Sequence, residues 1–332
     1  MADDERSLIQ KYFHLGYENE VTLQFVVDYH SIKISLSTLK CRLRDYGLKR
    51  RRNEVDVDQL RDIIRNEISG SGESLGYRAV WHFLRLVHEI YVPRHLVATI
   101  LQEVDPVGVQ ERRRRRLSQR KYLSCGPNFS WHVDGNGGCP ILLRTDCGTE
   151  NGVMAAMQCY FRQNGEDAFS GERAHKYGSS PANQRIKAWW SYFRKGRAGW
   201  WIDFFKDMVN AGVSDVGNVM QMEALWFSFE AVIQNELDNV KQHWNTHRIR
   251  RSGHGTVPGV PDVLFYLPQR SDAFECKQAV ENPNLQEMEQ HLLHTQPSDD
   301  EGDLYQEYFD YVVDHEALQI PSSMKEAFNF NN

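Results

Sequence analysis

Two short apolar segments of the chain each run into an aspartate, Phe129-Ser-Trp-His-Val-Asp134 and Pro140-Ile-Leu-Leu-Arg-Thr-Asp146. Read as strands, they deliver two carboxylates at their C-terminal ends, where α/β sheets carry their functional side chains. Further on, a segment of helical periodicity over 181–210 places Lys187, Ser191 and Arg194 at i, i+4 and i+7. That spacing puts the three on one side, a polar face suited to a phosphate. The plainer reading has Asp134 and Asp146 capping strand ends and Gln184, Lys187, Ser191 and Arg194 forming a solvated helix face. His243 and His247, at i and i+4, have no third ligand in sight and read as helix surface. No zinc pattern of His and Cys precedes the strands, and the chain has no phosphate-binding GxxxxGK[ST] loop and no GxSxG elbow.

Those positions need elements to hold them. A helix is expected over 151–161, after the second strand, and helical periodicity returns over 181–210 and 219–245. The pairs Trp189-Trp190, Trp200-Trp201 and Phe204-Phe205 read as core packing rather than a base-stacking platform. Upstream, residues 5–16 and 19–29 have helical spacing, and Ser35 or Ser37 is placed to cap a third helix that ends at Gly47. This third helix exposes Lys40, Arg42 and Arg44 around an apolar stripe of Leu36, Leu39 and Leu43, the layout of a recognition helix. A second trio is expected at 57–68, 76–90 and 93–104, with Pro93 in a first helical turn.

Charge is unevenly spread. Residues 1–130 carry 22 Lys+Arg against 17 Asp+Glu, and residues 131–332 carry 17 against 28. Seven cations fall between Arg112 and Lys121, including the run Arg112, Arg113, Arg114, Arg115 and Arg116. Such a run repels itself unless phosphate or water compensates it, so it reads as a DNA-backbone contact, a nuclear import signal or a solvated linker. From residue 270 onward there are 14 Asp+Glu against 3 Lys+Arg, which reads as an acidic, partly disordered tail. No apolar run approaches the roughly 20 residues of a membrane span, and MADDERSLIQ lacks a signal-peptide layout. The six scattered cysteines form no CxxC pair and read as reduced thiols. The expectation is a soluble, intracellular protein.

Three stretches taken together, Trp131-His-Val-Asp-Gly135, Arg144-Thr-Asp-Cys-Gly-Thr-Glu-Asn-Gly152 and Ser180-Pro-Ala-Asn-Gln-Arg-Ile-Lys-Ala-Trp-Trp-Ser191, resemble the three active-site motifs of an integrase core domain. The group is eukaryotic, transposon-derived and similar to retroviral integrases, polynucleotidyl transferases with a ribonuclease H-like fold. The resemblance extends to the upstream helix-turn-helix, to Gly76-Tyr-Arg-Ala-Val-Trp-His-Phe-Leu-Arg-Leu86, and to Trp244-Asn-Thr-His-Arg-Ile-Arg250 with Pro258-Gly-Val-Pro-Asp-Val-Leu264. It implies in-line phosphoryl transfer on DNA with two Mg²⁺ or Mn²⁺ ions held by carboxylates. By position, the metal and catalytic residues it implies are Asp134, Asp146 and residue 187. It also implies DNA as partner, a homo-oligomer, a nuclear location, and neither a membrane nor a small-molecule substrate.

The chain departs from that pattern twice. The third carboxylate is Lys187, whose cation near a second metal costs several kcal/mol. Only eleven residues separate Asp134 from Asp146, where the fold normally has two further strands and a helix. Loss of those elements leaves a sheet edge that must be covered or will pair with another chain. The reading is an α/β protein: a truncated ribonuclease H-like integrase core preceded by all-α helix-turn-helix-like bundles. Its expected organisation is a DNA-binding bundle at 1–52, a second bundle at 53–107, a basic linker at 108–130, the core at 131–269 and the tail at 270–332. The expected function is DNA binding through Lys40, Arg42, Arg44, Arg112 to Arg116 and Arg194 without catalysis. The alternatives are an active metal-dependent strand transferase or nuclease, a scaffold, and an incomplete gene product that lacks a coding segment at Gly135-Asn136-Gly137.

Overall fold

The computed structural model describes residues 2–50, 55–114, 130–131, 138–145, 151–178, 184–251, 257–293 and 300–331. These form two compact units, one of Met1–Arg197 with His243–Ala279 and one of Ala198–Gln242 with Val280–Asn332. The described residues are mostly helical, with one small sheet.

The first unit opens with α1 (Ala2–His14), α2 (Asn19–Gln24), a π-helical turn over Phe25–Tyr29, and α3 (Leu36–Asp45). Ser35 caps α3, its hydroxyl accepting from the Thr38 backbone N–H at 3.1 Å. Gly47 ends the helix at φ +69°, where an L side chain is strained, and the Leu48 N–H closes onto the Leu43 carbonyl at 2.9 Å. Ile9, Tyr12 and Phe13 of α1, Val21 of α2, and Phe25 and Val26 of the π-turn enclose Leu39 and Leu43 of α3 in one core. Leu267 belongs to the same core, brought there by α12 (Pro261–Tyr266), whose Asp262 accepts from the Tyr17 hydroxyl at 2.8 Å.

A second trio, α4 (Val57–Ile68), α5 (Tyr77–Leu86) and α6 (Arg94–Val104), packs around Leu60, Ile64, Val80, Leu84, Val97 and Leu101. Asp56 caps α4 by accepting from the Asp58 N–H at 2.9 Å. The Trp81 indole N–H donates to the Val92 carbonyl at 2.7 Å, pinning the turn between α5 and α6. The basic run begins in α7 (Pro106–Arg114).

The sheet has three strands in the order β1 (Ser130–Trp131), β2 (Leu142–Thr145), β3 (His175–Tyr177), and both pairings are parallel. The register sets Trp131 opposite Leu143 and Leu143 opposite His175. Parallel neighbours normally need a crossover of about a dozen residues or more, usually helical. The β2 to β3 connection has one, α8 (Gly152–Phe161), whereas β1 and β2 are joined by only the ten residues 132–141. Among the described residues no strand pairs with the outer edge of β1. The lead into β2 is covered on another side, because Cys139 and Gln278 exchange backbone hydrogen bonds of 2.9 and 2.8 Å.

The unit continues with α9 (Gln184–Phe193) and a π-helical stretch, Arg194–Ala198. The second unit contains α10 (Gly199–Asn210) and most of α11 (Val219–Thr246), whose last residues, from His243, belong to the first unit. Trp201, Met208, Leu225, Phe229 and Ala327 form the second unit's core, against which Trp200, Phe204 and Phe205 pack. The expected core role of these aromatics holds; Trp190, by contrast, is 54% exposed. The stretch after residue 270, expected as an acidic and partly disordered tail, carries α13 (Asn282–Leu293), α14 (Asp300–His315) and α15 (Met324–Asn331) in its described part.

Candidate functional site

Because β1 and β2 are parallel, their C-terminal ends lie at the same end of the sheet. Asp134 follows β1 by three residues and Asp146 follows β2 directly, and both aspartates lie outside the described residues. At that end Gly178 donates to the Thr145 carbonyl at 2.8 Å, and the Thr145 hydroxyl sits 2.9 Å from His175 Nε2. Burial lowers the His175 pKa, so its ring is neutral there at physiological pH. Lys187, which the resemblance sets at the third position, lies on α9, and its side chain is outside the described set. Among the described residues no group of three or more His, Cys, Asp or Glu side chains is arranged to hold a metal ion. A two-metal centre wants hard carboxylate oxygens, and where the resemblance expects a third carboxylate the sequence has Lys187.

The helix carrying Lys187 is anchored by polar contacts in its last turn and just beyond it. The Tyr192 hydroxyl contacts His243 Nδ1 at 2.7 Å. Arg197, in the π-helical stretch, pairs with Glu67 of α4 at 2.6 Å and donates to the Ser71 hydroxyl at 2.9 Å. His243 was expected on a helix surface; it is half-buried, its ring centroid 4.7 Å from that of His82. His82 itself is buried between Arg85, which donates to Nδ1 at 3.1 Å, and Thr246, 2.8 Å from Nε2. A guanidinium has donors only, so Nδ1 is the acceptor and Nε2 carries the proton that goes to Thr246. Burial, reinforced by Arg85 and His243, pushes the His82 pKa down to about 2. Burial, then His247 and Arg197, pushes that of His243 down to about 4. The two imidazoles are neutral, and they join α5 to the end of α11. No local signal marks this cluster in the sequence, because its members come from positions 82, 192, 197, 243 and 246.

The candidate nucleic-acid interface is α3. Leu39 and Leu43 are buried, whereas Lys40, Arg42 and Arg44 are exposed. Arg42 is partly neutralised by Glu5, 3.1 Å away on α1, and Arg44 lies 3.8 Å from the Cys41 sulfur. Lys40 and Arg44, at i and i+4, thus leave an open cationic stripe on the face opposite the core. Arg194 is exposed at the start of the π-helical stretch. Arg112, Arg113 and Arg114 fall in the last turn of α7, with their side chains outside the described set; Arg115 and Arg116 lie outside the described residues altogether.

Comparison with known families places an integrase core domain over residues 136–260, which is 125 of the chain's 332 residues. The match takes in β2, α8, β3, α9, α10 and all of α11, together with Asp146 and Lys187, and begins two residues after Asp134. Over that stretch the chain is similar to an integrase core domain. No curated protein and no solved structure matches it. No helix among the described residues is long and apolar enough to cross a membrane.

Proposed function

We propose that the chain is an integrase-derived protein that binds duplex DNA without cutting or joining it. The observation that carries this reading is α3: a capped helix with its leucines in a three-helix core and Lys40 and Arg44 facing outward. A helix of this kind fits the major groove, and its cations supply the salt-dependent part of affinity. Arg42, Arg194 and the Arg112 to Arg116 run add phosphate contacts in this reading. The parallel β1–β2–β3 order, with a helix between β2 and β3 and Lys187 on the next helix, supports a shortened ribonuclease H-like core. The lysine at the third position supports loss of catalysis, since a cation there opposes the Mg²⁺ or Mn²⁺ pair that active integrase cores use. A nuclear location and self-association belong to the same reading.

Retention of labelled duplex DNA by the full chain, measured across a salt series, tests it. Binding should weaken linearly in log salt, and no retention at low salt would remove the proposal. The same preparation given Mg²⁺ or Mn²⁺ should nick DNA no faster than its Asp134→Asn variant. Nicking that the variant abolishes would instead establish an active nuclease.

A further inference from the structure

Within the first unit a cavity of about 330 Å³ opens beside the turn after α1, the face of α5 and the stretch 258–271. Arg85, Arg94, Arg248 and Arg270 line it, and Glu18 is the lining carboxylate among the described residues. Glu18 lies 3.8 Å from Arg248, both largely exposed, which leaves a clear excess of positive charge. Asp262 is already engaged by the Tyr17 hydroxyl.

Arg85 is the most enclosed of the four. It packs on Gly16, where φ is +81° and a Cβ would collide with the guanidinium. It donates to the Leu15 carbonyl at 3.2 Å and to His82, but pairs with no carboxylate, and its Nε has no acceptor among the described residues. Burial, with Arg50 and Arg94 adding repulsion, lowers its pKa to about 10. A desolvated cation with no counter-charge is costly unless an anion joins it. The Trp81 ring lies against both guanidiniums, 5.1 Å from Arg85 and 4.2 Å from Arg94, which orients them before any ligand arrives.

We propose that this cavity binds a phosphate-bearing ligand of mononucleotide size, with its phosphate held by Arg85 and Arg94, supplied either as a free nucleotide or as the phosphorylated end of a nucleic-acid strand. The volume sits at the lower end of the range for small-ligand sites. Planar guanidinium forks match phosphate oxygens in pairs, and the surplus of cations favours a doubly charged oxyanion over a carboxylate. The site is separate from the exposed face of α3 and does not depend on α3 binding DNA.

Calorimetric titration of the full chain at low salt distinguishes the outcomes. The ligands are a nucleoside monophosphate, its parent nucleoside, and a trinucleotide with either a 5′-phosphate or a 5′-hydroxyl. The monophosphate should bind at least about tenfold tighter than the nucleoside, and Arg94→Ala should weaken it by about tenfold. Lys40→Ala should leave it unchanged. Preference for the free monophosphate identifies a nucleotide site, and preference for the phosphorylated trinucleotide identifies a strand-end site. Equal binding of monophosphate and nucleoside, or wild-type affinity in Arg94→Ala/Arg270→Ala, overturns the proposal. Arg85→Lys is a further variant; should it fail to fold, the exposed Arg94 and Arg270 still decide.

Discussion

His82 Nε2 and Thr246 Oγ1 lie 2.8 Å apart, so a buried imidazole on α5 holds the C-terminal end of α11 across 164 positions of sequence. The ring must be neutral in this arrangement, because Arg85 donates to Nδ1, which accepts only while it carries no proton.

Acid should therefore loosen the first unit. The folded pKa values of His82 and His243, about 2 and about 4, lie below the unfolded value near 6.5, so the unfolded chain binds more protons in between. The stability they confer is complete above about pH 6.5 and falls as pH drops toward 4, by up to about 1.4 kcal/mol per pH unit for each histidine. Urea unfolding between pH 7 and 4.5 measures the slope, and His82→Gln should flatten it; an unchanged slope would contradict the assignment.

Glu67 and Arg197 form a largely buried pair at 2.6 Å, with side-chain exposures of 12% and 11%. Glu67→Ala leaves a guanidinium beside Ser71 without its counter-ion and should cost roughly 3 kcal/mol. Glu67→Met with Arg197→Met should recover much of that loss, which a double-mutant cycle by chemical denaturation would reveal.

Ser35→Ala removes the acceptor for the Thr38 N–H and should destabilise α3 by about 1 kcal/mol. Hydrogen exchange at the first turn of α3 is the direct readout; unaltered protection there would mean the cap contributes nothing.

Lys40→Ala and Arg44→Ala should each lower the slope of log affinity against log salt by about 1, if each side chain meets one phosphate. Arg42→Ala should do less, because Glu5 already holds that guanidinium. An equal effect of all three would indicate that the α1 contact opens when DNA binds.

Lys187→Glu should not create metal-dependent nicking. Restoring a carboxylate leaves the ten-residue connection between β1 and β2 unchanged. Activity appearing in that single variant would show that the shortened segment is not a defect.

The helices were the part of the fold most legible in the sequence. The 57–68 expectation coincides with α4, and Ser35 and Gly47 mark the limits of α3, because caps and apolar periodicity act within a few residues. The strands before Asp134 and Asp146 were legible as apolar runs, but the cover over Cys139 by Gln278 was not, since it joins positions 139 residues apart. The histidine cluster and the arginine-lined cavity escaped for the same reason: each side chain taken alone looks like a surface residue. Composition was no guide to packing after residue 270. The acidic count hides Phe309, whose ring packs 5.1 Å from Phe227, and Ala327, which is fully buried.

The short link between β1 and β2 also bears on how the sheet is built. Ser130 pairs with a residue 12 positions away, whereas Leu143 pairs with His175, 32 positions on. Loop closure grows with the logarithm of length, so the first pairing costs about 0.9 kcal/mol less chain entropy than the second. The β1–β2 side of the sheet is thus the cheaper one to close, although it is the side joined without a helical crossover.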